Sequence, residues 1–205
     1  MSAPAQAKPH HPFVVFSLPR SRSAWSSIFL SYGGLSCGHD IGIECASPED
    51  FVEAMTGKLA GTCETGAMFA WRLIREYLPT VKFVTVRRPR ADVIASLERF
   101  GLTGFEGEME RRDTFLDEIA ALPGTLNLSF DDLASADGCR KMFEFCLERP
   151  LDLDWWSHLQ AIDIQVDMQK CLGRLAANRS KIDALKADVA RRQSRMSGGG
   201  ECRAA

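Results

Sequence analysis

The chain has 205 residues, 45% hydrophobic and 25% charged, enough for one domain with a buried core. A formal net charge of −2 excludes the global cationic field that holds nucleic acid, so any anion site is local. No apolar run reaches bilayer length, and residues 1–12 lack the apolar stretch of a signal peptide, so a cytoplasmic protein without membrane contact is expected.

Residues 1–12 read as a flexible lead-in. Phe13–Ser17 is a short β-branched and aromatic run, the pattern of a buried strand. A polar loop with Arg20 and Arg22 follows, then a helix whose apolar residues Trp25, Ile28, Phe29 and Tyr32 fall at helical spacing. Leu35–Asp40 reads as a short strand end and loop. Ser47-Pro48-Glu49-Asp50 is a helix start, with a serine cap, proline at the first position and two acids. Lys58–Thr62 is a second strand, Cys63–Gly66 a loop, and Ala67–Leu78 an apolar helix stopping before Pro79. Val81–Val86 is the clearest later strand; Arg87-Arg88-Pro89-Arg90 leads at once into a helix reaching about Phe100.

Gly101–Gly107 reads as a loop and Glu108–Leu122 as a helix. Pro123-Gly124 turns the chain into a last strand, Thr125–Phe130. Asp137 is the expected cap of a helix ending before Pro150, and Leu151–Trp156 is expected to be a turn or short extended piece. From about Leu159 to Met196 the chain reads as helical. The spacing of Met168, Leu172, Leu175, Ile182 and Val189 fits either a helix packed on its own domain or the seam of a homodimer. Residues 197–205 read as a disordered tail.

Strands alternating with helices predict an α/β fold with a mostly parallel central sheet flanked by helices, plus a long C-terminal helical extension. Ligands in such sheets bind beyond the carboxyl ends of the strands. Three strand exits carry distinctive polar groups: Ser17–Ser23, Cys63–Gly66 and Arg87–Arg90. The first suits an anion best. The first backbone N–H groups of a helix lack partners, and two guanidinium forks add charge and paired donors. The seven cysteines are odd in number and widely spaced, so reduced buried thiols are expected rather than disulfides or a metal site.

The opening loop lacks the G-x-x-x-x-G-K-[ST] spacing of a nucleoside-triphosphate loop. Phe16-Ser-Leu-Pro-Arg20-Ser-Arg22-Ser-Ala-Trp25 resembles instead the 5′-phosphosulfate loop of the P-loop sulfotransferases, usually Pro-Lys/Arg-Ser-Gly-Thr-Thr-Trp. Val84–Leu97, with Arg87, Pro89 and Ser96, resembles that family's 3′-phosphate segment, and Ser129-Phe-Asp-Asp-Leu133 resembles its Tyr-Glu-Asp-Leu. The matches come in the family's order and span residues 13–148 loosely.

The resemblance implies a P-loop nucleotide-binding fold over residues 13–158. It also implies sulfuryl transfer from 3′-phosphoadenosine 5′-phosphosulfate to a hydroxyl or amine, with no metal. The acceptor, whether small molecule, glycan or peptide, is left open. By position, Arg20 contacts the 5′-phosphosulfate and stabilises the leaving oxygen. Ser21, Arg22, Ser23 and Ala24 form the phosphate loop, Trp25 borders the adenine side, and Arg87 and Ser96 grip the 3′-phosphate. Arg22 stands where the family has glycine, Ala24 where it has a second threonine, and Ser96 lies seven residues beyond Pro89, one more than usual.

The attacking group must lose a proton. Glu64 is the first candidate base because it sits at a strand exit; its plainer reading is a first-turn acid. His39 is the second and His158 a remote third. A P-loop kinase or nucleotide hydrolase, and a degenerate non-catalytic module that dimerises through its C-terminal helix, are the alternative functions.

Overall fold

In the computed structural model, residues 11–57, 59–162, 164 and 173 are described. The chain divides after Gln165, and every element below belongs to the first unit. The expected helix over 159–196 and the tail over 197–205 fall almost wholly outside the described residues, as do residues 1–10.

Five strands form one sheet: β1 (Phe13–Ser17), β2 (Cys37–His39), β3 (Gly61–Glu64), β4 (Lys82–Arg87) and β5 (Leu126–Ser129). Their order is β2-β3-β1-β4-β5, and every neighbouring pair is parallel. All five residues of β1 are buried, as a central parallel strand covered on both faces requires. In register, Phe16 pairs with Glu64, Ser17 with Val86, His39 with Cys63 and Arg87 with Ser129. The polar strand exits therefore line one edge of the sheet.

Seven α-helices accompany the strands among the described residues: α1 (Ser23–Phe29), α2 (Pro48–Gly57), α3 (Trp71–Tyr77), α4 (Arg90–Glu98), α5 (Glu106–Ala120), α6 (Ala136–Leu147) and α7 (Leu153–Gln160). The alternation of β1 sends side chains to two separate cores. Phe13 and Val15 pack with Trp25 and Phe29 of α1, Phe143 of α6 and Leu159 of α7. Val14 and Phe16 pack with Met55 of α2, Ile74 of α3, Leu97 of α4 and Leu116 of α5. Fully buried phenylalanines on both sides (Phe13, Phe16, Phe29, Phe143) each contribute about 1.5–3 kcal/mol of apolar burial. The connection after β1 thus covers one face, and those after β3 and β4 cover the other. That divergence opens a crevice at the end of β1.

Several local expectations are corrected. β3 extends through Glu64, because residues 61–64 run in register with β1; the expected loop begins only at Thr65. A 3₁₀ turn over Ala67–Ala70 precedes α3, where one continuous helix was expected. Helix α1 ends at Phe29, so Tyr32 lies beyond it, and Ile28 faces outward at 40% exposure. The cap of α6 is Ser135 rather than Asp137: its extended backbone lets Oγ accept the Gly138 N–H at 3.0 Å. Residues 153–160 are helical because Asp152 Oδ1 accepts the N–H groups of Asp154 and Trp155, both at 3.0 Å. The Ser47 cap is present, with Oγ accepting the Asp50 N–H at 3.2 Å.

Candidate functional site

The loop from Leu18 to Arg22 joins the central strand to α1. Both arginines in it adopt left-handed backbone conformations, with φ of 63° at Arg20 and 62° at Arg22. Only glycine takes that region freely, and each arginine there costs roughly 1–2 kcal/mol. This accounts for the glycine that the resembling loop carries at the position of Arg22.

Each arginine of the loop is held by a different face of the sheet. Arg20 donates from Nε to Ser96 Oγ on α4 at 3.3 Å, and its guanidinium lies 4.3 Å from the centre of the Phe100 ring. Burial, then the nearby cations Arg88 and Arg99, push its pKa below the ordinary arginine value. Arg22 turns the other way. Its Nη1 donates to the Leu133 carbonyl at 2.8 Å, and its guanidinium lies 5.4 Å from the Phe130 ring. The side chain expected at the phosphate is therefore anchored to the segment after β5.

Arg88 donates from Nη1 to the Arg20 carbonyl and stacks on Phe130 at 4.6 Å. Phe130 is thus a shelf under two guanidinium groups, a role that sequence reasoning missed. Its signal was its place in the Ser-Phe-Asp-Asp-Leu segment. Arg87, expected at the 3′-phosphate, is engaged elsewhere. It pairs with Asp113 at 2.8 Å and Asp117 at 2.6 Å, both on α5. Arg87 is the last residue of β4 and faces α5, whereas Arg88 lies just past the strand end, beside the loop.

Three serine hydroxyls here are buried without a hydrogen-bond partner: Ser17 at the end of β1, Ser21 in the loop and Ser26 in α1. An unpaired buried hydroxyl costs about 1–3 kcal/mol, and such groups call for an explanation such as a ligand. Ser23 is engaged, its Oγ lying 3.0 Å from His39 Nε2. Ala24 occupies the first turn of α1. Trp25 does not border an open ligand space. It is 6% exposed, stacks on Phe29 at 4.8 Å and donates from Nε1 to the Leu159 carbonyl at 3.2 Å. Its place is the core.

The two candidate bases lie on different faces. Glu64 is fully buried, so it does not meet solvent as an exit residue would. Its carboxyl accepts from Thr62 Oγ1 at 2.7 Å and from the Gly42 N–H at 3.3 Å. Burial first, then the charge of Asp40, push its pKa up to about 8. Gly42 is required there, since a side chain would sit 2.8 Å from the Ala67 Cβ. His39 keeps a half-buried side chain at the end of β2, with Asp40 Oδ2 3.6 Å from its Nε2. Asp40, at φ 50°, also accepts the Thr65 N–H at 2.6 Å and the Thr65 hydroxyl at 3.0 Å. The network Ser23–His39–Asp40–Thr65 joins the start of α1 to the ends of β2 and β3. The third candidate, His158, lies on α7 beside Trp155. Among the described residues, no three metal-ligating side chains converge, and no helix is long and apolar enough to cross a membrane.

Two solved structures are similar to this chain at low identity. A crystal structure of a sulfotransferase from Alicyclobacillus acidocaldarius matches over 86% of this chain and 96% of its own, at 12% identity and a TM-score of 0.51. A gluconokinase from Sinorhizobium meliloti 1021 matches over 73% and 93%, at 11% identity and a TM-score of 0.47. No protein-family model and no curated protein sequence matches the chain. The likeness extends to the fold alone, a parallel sheet flanked by helices.

Proposed function

We propose that this protein is a sulfotransferase that moves a sulfuryl group from 3′-phosphoadenosine 5′-phosphosulfate to a hydroxyl or amine. The observation that carries this reading is the pair of buried, unpartnered hydroxyls of Ser17 and Ser21 beside the Arg20–Ser96 contact. Hydroxyl donors without partners and a guanidinium under repulsion from Arg88 and Arg99 fit a bound anion. The residues present therefore suit the phosphate groups of this co-substrate, which when bound supplies the sulfuryl group and a phosphate leaving group.

In this reading Ser17, Ser21 and the loop backbone hold the 5′ end, and Arg20 places positive charge where negative charge grows. Ser96 and Phe100 fix the direction of Arg20 before any ligand arrives, so little reorganisation is needed. Arg88, rather than Arg87, completes the cationic side, because Arg87 is neutralised by two carboxylates of α5. Arg22 and Trp25 act indirectly, by anchoring the loop and α1.

His39 is the base in this scheme. Glu64 with a pKa of about 8 already carries its proton at neutral pH and has none of its surface open to an acceptor. His39 is reachable, and Ser23 and Asp40 hold it in place. The functional unit is the α/β domain of residues 13–158, acting in the cytoplasm on a small-molecule, glycan or peptide acceptor.

The test is transfer of labelled sulfate from the co-substrate to a panel of phenols, alcohols, amines and sugars. Label transfer that falls at least about 100-fold in Arg20→Ala and His39→Ala supports the reading. Phosphate transfer from ATP with Mg²⁺, and no sulfate transfer, would place the protein among the kinases. Nucleotide binding without transfer to any acceptor would make it a non-catalytic module.

A further inference from the structure

Beneath the candidate base lies a pair of thiols that the proposed function does not use. Cys37 on β2 and Cys63 on β3 bring their sulfurs to 3.9 Å. The two strands are direct neighbours, with Cys37 opposite Gly61 and His39 opposite Cys63. Both side chains therefore leave the sheet on the face shared with α1. Cys63 is completely buried, and Cys37 is half-buried at the sheet edge.

We propose that Cys37 and Cys63 are an oxidisable dithiol, closed to a disulfide by hydroperoxide. Three features carry this. The sulfur separation exceeds a disulfide bond, about 2.05 Å, by less than 2 Å. β2 has only three residues and, among the described residues, pairs with no strand but β3; Cys37 stands two residues short of the position opposite Cys63, so closure slides this short edge strand along β3 and exchanges only their own ladder. The partners also differ in access, which orders the steps. Cys37 meets oxidant first, and Cys63, diagonal to it on the neighbouring strand, is the resolving thiol. Burial favours the protonated thiol at Cys63, which shields it from direct oxidation and makes its attack on the Cys37 sulfenic acid the slower step.

The chemistry balances. The Cys37 sulfur attacks the O–O bond of the peroxide, giving a sulfenic acid and one molecule of water. The Cys63 sulfur then attacks the Cys37 sulfur; the S–O bond breaks, and the hydroxyl leaves with the Cys63 proton as a second water. Two thiols are oxidised by two electrons, and one peroxide is reduced to two waters. The site stands apart from the proposed sulfuryl transfer and holds whether or not that reading does.

The full-length protein is treated with a small excess of hydrogen peroxide, alkylated, and digested without reduction for mass spectrometry. The expected product is a peptide pair joined through Cys37 and Cys63, lighter by about 2 Da than the two thiols. The same pair is expected in a variant with Cys171→Ser and Cys202→Ser, which removes the two cysteines of the C-terminal segment. In Cys63→Ser, Cys37 is expected to accumulate sulfenic acid that dimedone captures. Should that variant fold poorly, the wild-type map still decides. A wild-type protein whose Cys37 is captured by dimedone while Cys63 stays a free thiol overturns the proposal. So does a Cys63 linked to Cys146.

Discussion

Arg20 donates to Ser96 across 76 residues of sequence, tying the strained loop after β1 to the middle of α4. The contact joins the two segments that carry the anion-binding residues, and Phe100, in the turn just after α4, lies against the same guanidinium. Removing the hydroxyl frees the guanidinium without removing its charge. In Ser96→Ala the affinity for 3′-phosphoadenosine 5′-phosphate is expected to fall about 5–10-fold, the value of one hydrogen bond. The folded structure should be little affected. Calorimetric titration of the variant beside the wild type checks both.

Arg87 and Arg88 are adjacent, yet they are expected to behave differently. Arg88→Ala removes a donor to the Arg20 carbonyl and a charge beside the loop, so nucleotide affinity should fall at least about 10-fold. Arg87→Ala breaks only partly exposed ion pairs with Asp113 and Asp117, costing less than about 1 kcal/mol of stability and leaving affinity nearly unchanged. Titration and denaturant unfolding of both variants separate the two effects. A larger affinity loss for Arg87→Ala would reverse the assignment.

Glu64 makes stability depend on pH. Its folded pKa is raised from 4.5 to about 8, so the folded state holds the proton more tightly than the unfolded chain. The two states cost the same to protonate below pH 4.5. As pH rises from there to about 8, the buried carboxyl increasingly disfavours the folded state, and above that the penalty is complete. Glu64→Gln, which cannot ionise, should gain stability relative to wild type across this window, by an amount on the order of several kcal/mol. Parallel melting curves from pH 4 to 9 read the difference, and a constant offset between the two proteins would contradict it.

Gly138 is a structural requirement that reaches the site. A side chain there would collide with the Asp132 carbonyl oxygen, at the turn that presents the Leu133 carbonyl to Arg22. Backbone atoms cannot give way as a flexible side chain can. Gly138→Ala is expected to cost about 1–3 kcal/mol in chemical unfolding and to loosen the Arg22 anchor.

Much of this architecture was legible in the sequence. The strands β1 and β4 announce themselves because buried parallel strands demand continuous β-branched and aromatic runs. The cationic loop was visible because Arg20 and Arg22 follow such a run directly. What could not be read was direction. Arg87, the last residue of β4, turns to α5, while Arg88 lies past the strand end and turns to the loop, and a two-residue Arg-Arg pattern does not say which is which. Glu64 reads in the sequence as an exit residue, but parallel pairing with Phe16 carries the strand through it and buries the carboxyl. Trp25 sat in a motif and also on an apolar helix face; the second property decided its place. The Ser-Phe-Asp-Asp-Leu segment marks Phe130 as notable, but its part as a shelf depends on two long-range contacts, with Arg22 and Arg88, that the segment alone does not record.

The central claim is that the loop from Ser17 to Ser23, with Arg20 at its centre, holds a phosphorylated adenosine nucleotide. Isothermal titration of the full chain with 3′-phosphoadenosine 5′-phosphate in metal-free buffer tests it most directly. Micromolar binding is predicted, weakened at least about 10-fold in Arg20→Ala and retained in Glu64→Gln. No measurable binding of this nucleotide, or binding that Arg20→Ala leaves intact, would contradict the claim.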